Sequence, residues 1–439
     1  MKKLFRLYFS TSLLLRIFLA FIIGSILGGV LWYYSGQGNE GFVTDLISYI
    51  SPFGLVFVNM LKMIVIPVIF FSLITGAASL PIKRFGRIGV KVIAWYFLCS
   101  FLAAIVGTLL AVIINPGSGS DLQGWEKIAE TVSSQAQELG GKTTGGGFTN
   151  MIMQMFQNPF EALSSGNFLA IIIFSVMFGL AIRVLIETNK SEKHVKDLEN
   201  LLSIFTSIRD AIFKLVDWIL EYSPIGVFVL SIVNFGLYGP NIVGPYISVA
   251  VGIIIGILGM VFIVYPLLLV ITTKKNPYKI IKSMQEAIIT AFITRSSAAT
   301  LPVSIKTIES ELKVKNELAS FSLPLGATIN MDGVCVHLPM FAMLAANMFF
   351  IDLSISSLII LVITTVLASI GAGGVPGGSL MLLFIILESM GLSGSQVSII
   401  IALALGINPI LDMFETANNV TGDMVCTYAV ADIEGLIED

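Results

Sequence analysis

The sequence predicts an all-α polytopic membrane protein, and three observations carry that prediction. Hydrophobic residues make up 56% of the 439 and charged residues only 12%, about half the charge of a soluble domain. Mean hydropathy is +0.92. The apolar residues gather into continuous runs of roughly 20 or more, long enough to cross ~30 Å of hydrocarbon as helices. A transmembrane β-barrel would show short alternating segments instead. Cys99, Cys335 and Cys426 lie inside apolar runs and suggest neither a disulfide framework nor a metal cluster. The net charge of −3 carries little information in such a chain, and no basic stretch implies a nucleic-acid partner.

The elements follow in order. Residues 1–34 open like a secretory leader, but Arg16 interrupts the early apolar part and no small-residue cleavage site follows. The segment therefore reads as a retained first helix. Apolar runs fall at 13–34, 43–77, 88–115, 166–187, 203–236 and 242–273. Their connections alternate in basic residues. Lys2, Lys3 and Arg6 come first, then Lys83, Arg84, Arg87 and Lys91, then Arg183, Lys190, Lys193 and Lys196, then Lys274, Lys275, Lys279 and Lys282. The connections at 35–45 and 236–241 have none, and the Gly/Ser/Thr/Gln-rich loop at 116–150 has only Lys127 and Lys142. Positive charge stays on the cytoplasmic side, so the N-terminus is expected in the cytoplasm and the long loop outside.

From Asn316 onward there is no Lys or Arg, yet Asp332, Asp412, Glu415 and Asp423 stand within apolar segments. Two apolar stretches here, TAFITRSSAATLPVS (290–304) and TVLASIGAGGVPGGS (365–379), are broken by small residues and proline. Aligned on Pro302 and Pro376, SSAATLP faces IGAGGVP. The order, a broken hairpin and then a helix, occurs twice. Broken helices in corresponding halves point to a binding site at mid-membrane.

At 100° per residue, Asn408, Asp412, Glu415, Thr416, Asn419 and Asp423 share one 100° arc of a helix that is otherwise apolar. That stripe must face protein or water, since each charge in lipid costs several kcal/mol. Asp332 sits in NMDG, where Asn330 and Gly333 suggest a locally unwound helix with free carbonyls. Four carboxylates have one nearby base, Arg295. Either several are protonated or mobile cations neutralise them. Asp, Asn and Thr oxygens with carbonyls are hard ligands that suit Na⁺ rather than a transition metal. Packing or protonated structural acids are the bland alternative. Arg295 reads equally as a structural salt bridge. His337, alone in an apolar run, reads as a packing residue, and His194 as part of a solvated face.

TRSSAATLP, LPLGATINMDG, LASIGAGGVPGG and LDMFETANNVTGD, with LLKMIVIPVIF from Leu61, resemble signature stretches of the glutamate/aspartate transporter family of dicarboxylate/amino acid:cation symporters. The likeness covers nearly the whole chain. It implies eight transmembrane helices plus two re-entrant hairpins, arranged as inverted repeats. It implies a homotrimer in a prokaryotic cytoplasmic membrane and an elevator mechanism. The static scaffold would be residues 1–77 and 166–236. The moving transport domain would be 88–115 and 242–439, with hairpins at 277–311 and 354–391 and helices at 316–349 and 396–436.

The resemblance also implies ligands. One Na⁺ site would use Gly326, Asn330, Asn419 and Asp423, and a second would use Thr328, Ser369, Ile370 and Ala372. A third would use Tyr96, Ser100, Asn330 and Asp332, weakened by Cys99 where the family usually has threonine. Asp412, supported by Thr416, would take the substrate's α-ammonium, and Asn419 with the backbone around Ser296 and Ser297 its α-carboxylate. Arg295, Val334 and the gate residues Gly374, Val375, Pro376, Gly377 and Ser379 would complete the pocket.

The departures cluster at one end. Members that carry acidic substrates have an arginine three residues after the aspartate, a bidentate clamp for the substrate's side-chain carboxylate. Glu415 stands there in this chain, with Asn408 in place of the acid that supports that arginine. Val334 replaces a hydroxyl residue and Ser379 a glycine. The α-amino/α-carboxylate end is unchanged. Three substrate readings stay open: cationic amino acids paired with Glu415, neutral ones hydrogen-bonded to it, or acidic ones held by Arg295. A channel and an intramembrane enzyme are the competing classes. No nucleophile–base pair accompanies Ser296 or Ser297, which argues against the enzyme.

Overall fold

The computed structural model describes residues 11–78, 82–118, 156–370, 374 and 377–438. These residues are helical throughout, apart from connections and one isolated antiparallel bridge between Val314 and Ile437. The helices, in chain order, are α1 (Leu13–Tyr34), α2 (Glu40–Ala78), α3 (Ile82–Ile114), α4 (Pro159–Ser165), α5 (Phe168–Thr188) and α6 (Glu192–Tyr238). Next come α7 (Val243–Gly259), α8 (Tyr265–Thr273), α9 (Pro277–Ser283), α10 (Gln285–Thr294) and α11 (Ser297–Ser310). The last are α12 (Asn316–Ile329), α13 (Asp332–Met348), α14 (Ile355–Ser369), α15 (Gly378–Ser389) and α16 (Gly394–Glu434). Six helical segments are long and apolar enough to cross a membrane, and two of them, at 66 and 82 residues, exceed one crossing. The loop expected at 116–150 lies mostly outside the described residues.

Several boundaries differ from the sequence expectation. The connection at 35–45 is only a π-turn, Ser35–Asn39, and Gly38 reverses the chain at φ 92°. A positive φ there is open to glycine without strain. Helix α6 begins at Glu192, not 203. Residues 192–202 are charged good helix formers, invisible to a reading of apolar runs but capped by Ser191, whose Oγ accepts from His194 N. The run at 242–273 is interrupted by a π-segment, Met260–Val264. The span at 316–349 is broken, as NMDG suggests: Asn330 and Met331 leave helical geometry between α12 and α13.

Proline inside a helix frees the carbonyl four residues earlier, and here side chains take several of those carbonyls. Ser51 Oγ donates to Ser48 O beside Pro52, and Ser223 Oγ to Leu220 O beside Pro224. The Tyr278 hydroxyl, 3.1 Å away, donates to Phe262 O beside Pro266.

By contact the helices sort into two groups. In one, α1, α2 and α5 pack around α6. Gly24 and Gly28 of α1 let it lie against the α6 backbone at Phe228 and Ile232. In the other, α3, α7, α15 and α16 surround α13, whose residues are almost all buried. The two groups meet where α16 and α15 approach α2 and α6, and a Lys62–Glu388 ion pair at 2.8 Å links them.

Close approach of α3 to α13 depends on Gly107. A Cβ there would lie 2.8 Å from Val336 Cα and 2.9 Å from Cys335 O, whereas one at Gly29 meets nothing. Gly107→Val should therefore cost about 2 kcal/mol by overpacking. Gly29→Ala should stay within ~0.5 kcal/mol. Thermal unfolding of both purified variants in one detergent checks the contrast.

Candidate functional site

The 41-residue helix α16 carries the polar stripe. Every member is buried: Asn408, Asp412, Glu415, Thr416, Asn419 and Asp423 are each at most 5% exposed. The broken α12–α13 segment lies along this stripe, and the Gly333 amide donates to Asn419 Oδ1 at 2.7 Å. That bond leaves the Asn419 amide Nδ2 as the donor, against Met331 Sδ. Gly333 itself is required by crowding, since a Cβ would sit 2.6 Å from Glu415 Cα.

At the far end of the stripe, Asp423 Oδ1 accepts from Asn330 Nδ2 at 2.9 Å. A Cβ on Gly326 would meet that same carboxylate and the Tyr96 hydroxyl, so all three converge. Tyr96 is expected to share a set with Asp332. Its hydroxyl bonds Ser322, at 2.8 Å to the carbonyl and 2.7 Å to the side chain. Asp332 lies close by: Ser100 Oγ donates to its Oδ1 at 2.9 Å and the Tyr265 hydroxyl to its Oδ2 at 2.7 Å. Tyr265 directly follows the π-segment, whose extra residue turns its ring toward Asp332. Cys99 faces Cys426, sulfur to sulfur at 3.4 Å, and makes no bond to these carboxylates. These hard oxygens suit a small cation.

Two helical hairpins close on the other side. In the first, α10 ends at Arg295 with φ 54°, and Ser296 caps α11 by accepting from Ala299 N at 3.2 Å. In the second, α14 ends near Ser369 and Ile370 and α15 begins after Gly377, at φ 77°. The tips touch: Ser296 Oγ donates to Gly374 O at 3.1 Å. Ser369 Oγ and Thr328 Oγ1 bond their own helices, to Val366 O and Leu325 O. Ala372, Val375 and Pro376 lie outside the described residues.

Between the hairpins and α16 is a small cavity of about 20 Å³, enough for roughly one water. Ser297, Val334, Gly374, Ser379, Asp412, Glu415, Thr416 and Asn419 line it, together with Met331 and Gly378, which sequence reasoning missed. Asp412 Oδ2 accepts from Gly377 N at 3.3 Å, Thr416 Oγ1 bonds Asp412 O at 2.8 Å, and Ser379 Oγ bonds Asn408 Oδ1 at 3.3 Å. A second cavity of about 350 Å³ joins Asp412 and Arg295 to Ile17, Phe57 and Trp218 of the α1–α2–α6 group. Arg295 lines that space together with Asp412 and makes no ion pair within 4.0 Å among the described residues.

His337 is buried and packs on Phe341, as a packing residue would, but it also has a polar partner. Its Nδ1 lies 2.6 Å from Glu415 Oε1, with both side chains at most 2% exposed. One apolar run gives no hint of this, because the partner is 78 residues away in the chain. Tyr265 and Ser322 are likewise hydroxyl residues in apolar runs, with no local signal.

Residues 13–433 match the model of the sodium:dicarboxylate symporter family. The chain is 31% identical to excitatory amino acid transporter 1 of Ambystoma tigrinum, over 92% of this chain and 80% of that one. It is 30% identical to the proton/glutamate-aspartate symporter of Escherichia coli, over 96% and 92%. It is 31% identical to the proton/sodium-glutamate symport protein of Geobacillus stearothermophilus, over 96% and 94%. These relatives are membrane transporters of amino acids, not enzymes. With a match over almost its full length and the signature stretches assembled around one buried site, the chain belongs to the sodium:dicarboxylate symporter family.

Proposed function

We infer that the chain is a sodium-coupled amino-acid symporter whose substrate carries a cationic side chain, such as lysine, arginine or ornithine. The observation that carries this is Glu415: buried, on the same cavity as Asp412, with no Lys or Arg lining that cavity. A substrate side-chain carboxylate there would meet like charge in a desolvated site, a repulsion of several kcal/mol. An ammonium or guanidinium would meet its counter-charge. Asp412 takes the α-ammonium with support from Thr416. Asn419 Nδ2 and the N-terminus of α11 at Ser297 take the α-carboxylate, where free amides favour an anion.

Sodium binds at Gly326, Asn330, Asn419 and Asp423, and beneath the gate at Thr328, Ser369, Ile370 and Ala372. Ser100, Asn330, Asp332 and Tyr96 form a third and weaker site, since a thiol at Cys99 is a poor ligand for a hard cation. Sodium and the ammonium groups supply the counter-charge that the fixed residues lack. The α1–α2–α5–α6 group serves as scaffold and trimer contact. The remaining helices move as the transport domain, with α14–α15 as gate. The N-terminus is cytoplasmic in a prokaryotic cell membrane. A second reading, a neutral hydroxyl or amide side chain, draws on the His337 bond, which leaves Glu415 a single free oxygen.

Uptake into proteoliposomes under an inward Na⁺ gradient tests the reading with lysine, arginine, serine, glutamine and aspartate. Lysine or arginine should accumulate best, and accumulation should vanish with choline in place of Na⁺. Preference for aspartate rejects the reading of Glu415. Glu415→Arg should abolish uptake of basic substrates; lysine transport equal to that of the unmodified protein would remove Glu415 from the pocket. Asp423→Asn, which removes a charged ligand, should raise the Na⁺ concentration for half-maximal uptake by about tenfold or more. An unchanged Na⁺ requirement would take Asp423 out of the ion site.

A further inference from the structure

We propose that His337 is a positioning residue for substrate selectivity: it donates one hydrogen bond that orients Glu415 without cancelling its charge. The proposal rests on the reading that Glu415 meets the substrate's side chain. It adds that this end of the pocket stays anionic and selects a cationic N–H group over a neutral one.

The geometry comes first. His337 lies on α13, fully buried, tilted against Phe341 at 4.7 Å between ring centroids. Its Nδ1 meets Glu415 Oε1 at 2.6 Å, while its Nε2 and Glu415 Oε2 have no partner. Glu415 lines the small cavity; His337 is behind it and does not. Oε2 is thus the carboxylate oxygen left without a partner among the described residues, on a residue that lines the cavity.

Proton bookkeeping then separates three arrangements. An imidazolium against a carboxylate would bury an Nε2–H with no acceptor. A carboxylic acid donating to a bare Nδ1 would put the imidazole proton on Nε2 and strand the same donor. A neutral imidazole whose Nδ1–H donates to an ionised Glu415 leaves only lone pairs unpaired, on Nε2 and Oε2. The third arrangement alone strands no buried N–H donor, and a ligand cation can pair the lone pair it leaves on Oε2, so it is the one taken here. The pair then carries one negative charge, beside Asp412 and with no cation on the cavity wall. A buried unpaired charge demands a partner. With the α-ammonium assigned to Asp412, the partner at Oε2 is the side-chain cation. Lysine or arginine in place of His337 would orient Glu415 equally well but neutralise it.

The test is the ratio of KM for lysine to KM for glutamine, measured by uptake and competition in proteoliposomes of the full chain. His337→Leu removes the donor, so Glu415 takes up a proton or loses its orientation. The ratio should rise about tenfold. His337→Asn, which keeps an N–H near the Nδ1 position and adds no charge, should hold the ratio within about twofold of the unmodified protein. Glu415→Gln should raise the ratio by itself, and adding His337→Leu to it should raise it no further. An unchanged ratio in His337→Leu overturns the proposal. So does a parallel rise in both KM values with a fall in kcat, which marks a merely structural role, and so does an additive double variant. If His337→Leu does not yield folded protein, His337→Asn decides alone: a retained ratio supports the proposal and a lost one overturns it. An unchanged ratio in Glu415→Gln rejects the underlying reading of the pocket. A shift in Glu415→Gln without one in His337→Leu rejects only the role of His337.

Discussion

Four carboxylates buried inside an apolar helical bundle set the constraint from which the rest follows. Among the described residues no Lys or Arg bridges to Asp332, Asp412, Glu415 or Asp423. What the fold supplies instead is neutral donors: the hydroxyls of Ser100 and Tyr265, the amide of Asn330 and the backbone N–H of Gly377. Such donors stabilise an anion without neutralising it. The broken helices have the same origin. Helices α10 and α12 stop short where they pack against α16, leaving chain ends beside the polar stripe.

The helix breaks also explain how much was legible in the sequence. Apolar runs and the alternation of basic connections gave the spans. Small residues, Gly, Pro and Asn in TRSSAATLP, NMDG and GAGGVPGG gave the interruptions. The 3.6-residue period gave the stripe on α16. These are local signals, and local signals survive without coordinates. The beginning of α6 was missed because its first turns are charged rather than apolar. Tyr265, Ser322 and His337 were missed for a different reason: each is a polar group in an apolar run, and its partner arrives from a distant helix. The π-segment before Tyr265 has no sequence signature, and it decides where that ring points.

The pocket is chemically lopsided in a way that bears on the whole family membership. Asp412, Thr416 and Asn419, which suit a zwitterionic backbone, sit on the same helix as Glu415 and within about one turn of it. Of the residues that differ from the acidic-substrate pattern, Glu415, Val334 and Ser379 line the small cavity with them. Ser379 and Asn408 bond to each other, so they form a local unit. Glu415, in turn, has the His337 ring nitrogen 2.6 Å from its Oε1.

The bare seam at Gly333 has a mechanical consequence. Its Cα lies against the main chain of Glu415, and its amide is tied to Asn419. Asp332 is the neighbouring residue in sequence, so the acid bonded by Ser100 and Tyr265 and the buried acid Glu415 meet at one close backbone crossing. Packed interiors transmit such displacements because they contain little free volume to absorb them. A bulky residue at that crossing would therefore push on the Glu415 backbone and on the Asp332 segment together.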